Sequence, residues 1–354
     1  MKNIGIIITD ITVKAGTERA VTNLSNILSK KDYNVFIISV DSKKGNCEYE
    51  LDKSVNIIHL GLNIENKNLL KKFNEYKKFL KEIKYFISKY NIDCLIGTLL
   101  IYNCLISTIK SVKTIGCEHF NYQNAGKIHS ILRKNYYKKL NAVVLLTQKD
   151  KENYKFLTNT YIIPNSLSFF TEKKSDCQKN EMISVGRLVK QKGFDYLLEI
   201  AKILKIKLPN WHISIYGTGP EKEILEQYIE NNNLKNYVEI KEPIKNIIDV
   251  YLNSSIYLST SRWEGLPMVL IEAQHCGLPA VSFDCNYGPS DIIINNKTGF
   301  LCKCFDINDF ANKVVELCQN KDELLNFGKN SVEISYKFST ETIAAKWYNL
   351  LESL

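Results

Sequence analysis

The chain has 354 residues, 45% hydrophobic and 24% charged, which suits two ordinary soluble globular domains and excludes the disordered and fibrous classes. Its net charge of +9 is uneven: residues 1–165 carry 26 Lys and Arg against 14 Asp and Glu, a net +12, whereas residues 166–354 carry 21 against 24, a net −3. Such asymmetry admits nucleic acid, an anionic membrane or a phosphate-bearing substrate, but no nucleic-acid signature accompanies the lysines, so nucleic acid is set aside.

Residues 2–9 read as a buried strand ending at Thr9-Asp10. The apolar run is too short for a signal peptide and no later stretch is long and charge-free enough to span a bilayer, so the expected location is the cytoplasm. Thr12 to Thr17 leads into a helix, Glu18 to Leu28, with Val21, Leu24, Ile27 and Leu28 on one face, and Val35–Val40 is the next strand. This is the opening of a Rossmann-like half. After a strand at Val55–Leu60 comes an amphipathic helix, Leu69 to Ile87. Leu69, Phe73, Tyr76, Leu80, Ile83 and Ile87 recur at helical spacing, and Lys71, Lys72, Lys77, Lys78, Lys81 and Lys84 fill the remaining face. Two readings stay open, a core helix with a solvated lysine face and a helix lying on a membrane surface. Strands at Asp93–Thr98 and Thr114–Cys117 follow. Glu118-His119 comes directly after the second, which puts His119 at a carboxyl edge; a structural histidine is the plainer alternative. His59, His129, His212 and His275 have no comparable setting. A basic, aromatic stretch, Lys127 to Lys139 with Arg133, Lys134, Tyr136, Tyr137 and Lys138, precedes the strand Ala142–Leu146. The first domain is expected to span residues 1–168, and the polar run Glu172–Asn180 reads as a linker.

The second domain, residues 181–338, begins with the strand Met182–Val185. Arg187 leaves that strand and Lys192 precedes a helix, so both can converge on a diphosphate; two solvated basic residues in a turn is the plainer alternative. Trp211–Tyr216 is a strand, Gly217 to Pro220 a glycine-rich turn before the helix Glu221–Glu230, and Val238–Ile240 leads to Glu242-Pro243-Ile244. Next comes the strand Ile256–Ser259. Gly265 and Pro267 then introduce a helical run, with Pro267 in its first turn, Glu264 just before it and Glu272 one to two turns inside. Gly277-Leu278-Pro279 stops that helix before the strand Ala280–Phe283. This strand, helix, strand unit gathers two carboxylates and a positive helix end at the carboxyl edge of a parallel sheet, where α/β proteins bind ligands. A ligand carrying both phosphate and hydroxyls fits, and a nucleotide sugar is such a ligand. The ten cysteines have irregular spacings and several sit in apolar strands, so they read as small core residues of a reducing compartment. Cys302-Lys303-Cys304 lacks further ligands at zinc spacing, so no metal is expected there.

The stretch Glu264-Gly265-Leu266-Pro267, Glu272-Ala273, Gly277, Pro279-Ala280-Val281 resembles the donor-binding pattern EGxPxxxxEAxxxGxPVV of glycosyltransferase family 4, the retaining GT-B enzymes. Tyr287 to Ile293 and Asn296 to Leu301 continue the likeness, nearest to the lipopolysaccharide, capsule and O-antigen branch. Val185-Gly186-Arg187-Leu188 with Lys192-Gly193 matches VGRLxxxKG in full, and Ala15-Gly16-Thr17-Glu18-Arg19 is similar to the family's GGxER loop with one glycine replaced. The resemblance covers essentially the whole chain, strongly over residues 182–301.

It implies an α/β, GT-B architecture, two Rossmann-like domains facing across a cleft, with a final helix at residues 339–354 crossing back to the first. It implies that Gly186, Arg187 and Lys192 hold a pyrophosphate and that Gly16 and Thr17 pack under it. Pro243 and Ile244 would hold the base, Glu264 and His119 the donor sugar, Glu272 the ribose, and amides near Gly265, Leu266 and Pro267 the phosphate. The expected activity is metal-free, retaining transfer of a hexose or N-acetylhexosamine from a UDP-sugar to a saccharide, lipid-linked acceptor in surface polysaccharide synthesis. No Asp-x-Asp occurs to hold a metal. The basic half would meet the inner face of the cell membrane. A non-catalytic GT-B partner subunit and a UDP-sugar hydrolysing epimerase are the alternatives.

Overall fold

The computed structural model describes residues 2–42, 44–64, 69–119, 122 and 126–354, with the backbone alone at Leu69 and Leu70. The chain forms two compact units, Met1–Ser168 with Thr340–Leu354, and Phe169–Ser339. Each is a parallel sheet between helices, and the architecture is that of two Rossmann-like GT-B domains.

In the first unit the strands are β1 (Lys2–Ile8), β2 (Tyr33–Ser39), β3 (Asn56–His59), β4 (Cys94–Gly97), β5 (Lys113–Cys117), β6 (Ala142–Leu145) and β7 (Thr160–Ile162). Their spatial order is β3-β2-β1-β4-β5-β6-β7. A sheet covered on both faces needs near-continuous apolar strands, and successive residues serve opposite faces. Ile4, Ile6 and Ile8 accordingly pack with the helices Gly16–Ser29 and Thr340–Ser353, while Ile7 joins Phe79, Ile83 and Phe86 of the helix Leu69–Tyr90. The final helix is tied further by Tyr348 Oη donating to Ile27 O at 2.8 Å.

The helix Leu69–Tyr90 buries Ile83 of the expected stripe but is rotated so that Phe79 and Phe86 join it inside. Phe79 and Phe86 are buried, whereas Phe73 is 56% exposed under the Lys77 ammonium. Tyr76, Leu80 and Ile87 are left at the margin of the core, and the Leu69 side chain lies outside the described residues. Two large rings two turns apart bury more apolar area than the stripe through Phe73. Arg133 also departs from its reading as part of a basic surface. It is buried and forks onto Glu118, Nε to Oε1 at 3.0 Å and a terminal nitrogen to Oε2 at 2.9 Å.

In the second unit β8 (Glu181–Val185), β9 (His212–Tyr216), β10 (Val238–Lys241), β11 (Ile256–Ser259), β12 (Ala280–Phe283) and β13 (Gly299–Cys302) are ordered β10-β9-β8-β11-β12-β13. The run 172–180 is part of this unit and not a free linker. Ser175 N donates to Cys276 O at 2.7 Å, Ser175 Oγ to Ser254 O at 2.5 Å, and Cys177 is buried. Backbone groups that enter a protein surface need partners there, and these bonds supply them.

Candidate active site

The order of the second sheet reverses direction between β8 and β11. From that point the chain runs outward to β9 and β10 on one side and to β12 and β13 on the other. At such a switch point an open α/β sheet has its ligand crevice, outside the carboxyl ends of the strands. Residues 186–193 follow β8 and residues 260–267 follow β11, so the two motif-bearing loops meet at this edge.

The β8 loop is drawn tight by two glycines. A Cβ on Gly217 would stand 1.9 Å from Gly186 O, so only hydrogen lets the β8 and β9 loops touch, and Leu188 N closes the contact by donating to Thr218 O at 2.9 Å. A Cβ on Gly186 would lie 3.3–3.4 Å from Cγ, Cδ and Cε of Lys192, so the lysine stem crosses this glycine closely. Gly193 takes the left-handed φ of +65° that favours glycine, and there its backbone meets the β11 loop: Thr260 Oγ1 donates to Gly193 O at 2.9 Å.

Lys192 Nζ donates to Glu264 Oε1 at 2.6 Å, and Ser261 Oγ donates to the same oxygen at 2.6 Å. The pair is largely enclosed, with the lysine side chain 17% and the glutamate 7% exposed. Arg187, by contrast, is exposed and, among the described residues, forms no ion pair. A second clamp lies beside the first. Arg262 forks onto Asp195 at 2.8 and 2.6 Å and stacks 4.4 Å from the centre of Tyr196. Burial alone would raise the Asp195 carboxyl, but the guanidinium outweighs it and holds the group below its ordinary value.

Pro267 caps the helix Met268–His275 from outside its first turn, so the proline sits one position earlier than its pattern suggests. The first N–H groups of a helix have no intrahelical partner, and they open towards the loop that carries Glu264. Gly288, at φ +92°, presses on this turn: a Cβ there would come within 2.6 Å of Gly265 O. Leu266 is buried, and Glu272, in the second turn, is almost wholly so. Tyr257, on β11, feels the charge of both carboxylates. Burial raises its phenol well above the ordinary range, and Glu264 and Glu272 add to the rise, while its hydroxyl donates to Val185 O at 3.2 Å. Pro243 and Ile244 are exposed just beyond the end of β10, two strands from the crevice.

A family model described as glycosyl transferases group 1 matches residues 165–333, the stretch holding both clamps. The chain is 31% identical over 359 residues to the amylovoran biosynthesis glycosyltransferase AmsD of Erwinia amylovora, with 98% of each chain covered. It belongs to the group 1 glycosyltransferases. An uncharacterized glycosyltransferase of Haemophilus influenzae is 29% identical over 99% of this chain and 100% of its own. The crystal structure of S. aureus TarM with fondaparinux, alpha-GlcNAc-glycerol and UDP has the same fold, with a TM-score of 0.82 at 19% identity and 99% of each chain covered.

In this glycosyltransferase the remaining sequence-derived candidates belong to the first unit. His119 lies two residues beyond β5, beside a small cavity that Val21, Thr98, Ser166 and Trp347 also line. Its Nδ1 is enclosed without a hydrogen-bond partner among the described residues, and burial pushes the imidazole down to about 4, so the ring is neutral at pH 7. Gly16 and Thr17 open the helix Gly16–Ser29, where a Cβ on Gly16 would meet nothing within 4 Å, so no steric need for glycine exists there. The sequence reading passed over Ser261, Asp195, Arg262, Tyr257 and Trp263. Only Ser261, three residues before Glu264, had a local signal.

Proposed function

We propose that this glycosyltransferase is a retaining enzyme of family 4, of the lipopolysaccharide and capsule branch. In this reading it moves a hexose or N-acetylhexosamine from a UDP-sugar to a lipid-linked saccharide in bacterial surface polysaccharide synthesis, with no metal. The observation that carries it is the Lys192–Glu264 pair joining the two loops at the switch point, with Arg187 exposed beside it. An ammonium, a guanidinium and a helix N-terminus can together offset the charge of a diphosphate leaving group, as a metal does elsewhere. The Glu264 carboxylate and the neutral His119 would accept or donate hydrogen bonds at sugar hydroxyls, and the buried Glu272 would take the ribose hydroxyls. As the bond from the anomeric carbon to the diphosphate oxygen breaks, the acceptor oxygen attacks from the same face and its proton passes to that diphosphate oxygen. The polysaccharide role of the E. amylovora relative and the UDP bound in the S. aureus structure support the choice of donor and pathway class.

The acceptor half carries the basic charge. Lys77, Lys81 and Lys84 are exposed on the helix Leu69–Tyr90, beside exposed Phe73 and Tyr85. Each lysine near an anionic membrane contributes about 1 kcal/mol, so a few engaged together hold the protein reversibly at a lipid-linked acceptor. Among the described residues no helix is long and apolar enough to cross a membrane.

A thermal-shift panel tests the donor: UDP should raise the melting temperature more than GDP or ADP, by about 2.7 kcal/mol of stabilisation at 100 times its Kd. A GDP preference would redirect the assignment. Turnover should survive EDTA, and loss restored by manganese would reject the role of Arg187 and Lys192. Salt-sensitive sedimentation with anionic vesicles, weakened by charge reversal at Lys77, Lys78 and Lys81, tests the membrane contact, and no binding at low salt would exclude it.

A further inference from the structure

We infer that the indole of Trp263 is a stacking platform for a pyranose ring. The inference rests on the donor reading above and extends it to the sugar. Residues 260–264 are held to the β8 loop at nearly every position. Thr260 Oγ1 reaches Gly193 O at 2.9 Å, Arg262 N reaches Gln191 O at 2.8 Å, Gln191 Nε2 donates to Trp263 O at 3.0 Å, and Lys192 holds Glu264 at 2.6 Å. The side chain of Arg262 is fixed by Asp195 and Tyr196. In this pinned segment the indole alone is left uncovered. Trp263 is 38% exposed, whereas the other two tryptophans, Trp211 and Trp347, are 9% and 5% exposed.

A large aromatic side chain left in water forgoes its apolar burial, and here the backbone has already been ordered, so a ligand that covers the ring meets little further entropic cost. The neighbours identify the ligand. Lys192 and Arg187 favour a diphosphate, Glu264 offers a carboxylate to hydroxyls, and the group joined to a diphosphate that also carries hydroxyls is a sugar. The C–H face of a pyranose is apolar and weakly positive, which suits the negative face of an indole.

Because the other tryptophans are buried, iodide quenching of intrinsic fluorescence reports mainly Trp263. Titrations with UDP, UDP-glucose, UDP-N-acetylglucosamine, and methyl glucoside in the presence of UDP separate the two sources of a pyranose. Protection by the UDP-sugars and not by UDP assigns the donor sugar; protection only when methyl glucoside is added to UDP assigns the acceptor; either supports the platform. Trp263→Ala should raise the saccharide KM about tenfold or more, the worth of one aromatic stack, while Trp263→Phe restores most of it and neither alters the UDP thermal shift. A UDP-sugar that raises the melting temperature while no saccharide protects the indole would overturn the proposal. If no UDP ligand shifts the melting temperature, the donor reading itself fails, and the methyl glucoside titration still decides for or against Trp263.

Discussion

Replacing Lys192 by methionine keeps the stem that crosses Gly186 and removes the ammonium 2.6 Å from Glu264. At an effective dielectric constant of about 20 two charges at that distance attract by roughly 6 kcal/mol before desolvation is counted. Losing one partner of an enclosed pair is costly because the other stays in a poor solvent. In the variant Glu264 would lose the Lys192 donor and keep the Ser261 hydroxyl. The carboxylate has an escape, which is to take up a proton. An ordinary glutamate titrates near 4.3, so protonation at pH 7 costs about 3.7 kcal/mol, and at pH 5 only about 1 kcal/mol. Those figures cap the penalty at each pH. The expected loss is therefore about 2–4 kcal/mol at pH 7 and at most about 1 kcal/mol at pH 5, because a folded state that binds the extra proton gains as pH falls. For a unit of this size each kcal/mol moves Tm by about 2–4 °C, so differential scanning fluorimetry at the two pH values resolves the effect. Adding Glu264→Gln to the variant should recover most of the stability and abolish the pH dependence. A loss of equal size at pH 5 and pH 7, or a double variant as unstable as Lys192→Met, would show that the two groups are not energetically coupled.

Glu272→Gln should weaken UDP in the thermal-shift assay, whereas Glu264→Gln should leave UDP bound and lower turnover, since it frees Lys192 for the diphosphate; equal loss of UDP in both would show the roles misassigned. Gly193→Ala should destabilise by about 2 kcal/mol or more, because the left-handed conformation alone costs about 1–2 kcal/mol and its Cβ would stand 2.1 Å from Thr260 O; a melting temperature within a degree of the parent would refute this. His275 is fully buried between Thr171 N and Ser335 Oγ, and burial, aided by Lys174, pushes it down to about 4. The unfolded chain takes up that proton first, so stability is lost as pH falls from 6.5 towards 4, by about 3 kcal/mol in all. Denaturation curves of the parent and His275→Gln should converge by that amount between pH 7 and pH 4, and parallel curves would exclude the histidine as the cause.

Much of the architecture is written locally. Apolar runs such as Lys2–Ile8 and Ile256–Ser259, alternating with amphipathic segments, specify parallel strands and covering helices, because the repeat of apolar residues depends only on backbone period. Glu264, Gly265, Pro267 and Glu272 likewise mark a loop, a helix start and a buried carboxylate through chemistry confined to nine residues. What the sequence by itself does not decide is which faces and loops meet. The helix Leu69–Tyr90 has apolar residues on more than one stripe, and only packing on the first sheet turns Phe79 and Phe86 inward and Phe73 out. Arg133 reads as surface charge until the fold brings Glu118 to it. Lys192 and Glu264 are 72 residues apart, and their meeting depends on β8 lying beside β11. Strand order is set by the joint burial of many side chains across both faces of a sheet, a sum over distant contacts that no local pattern contains.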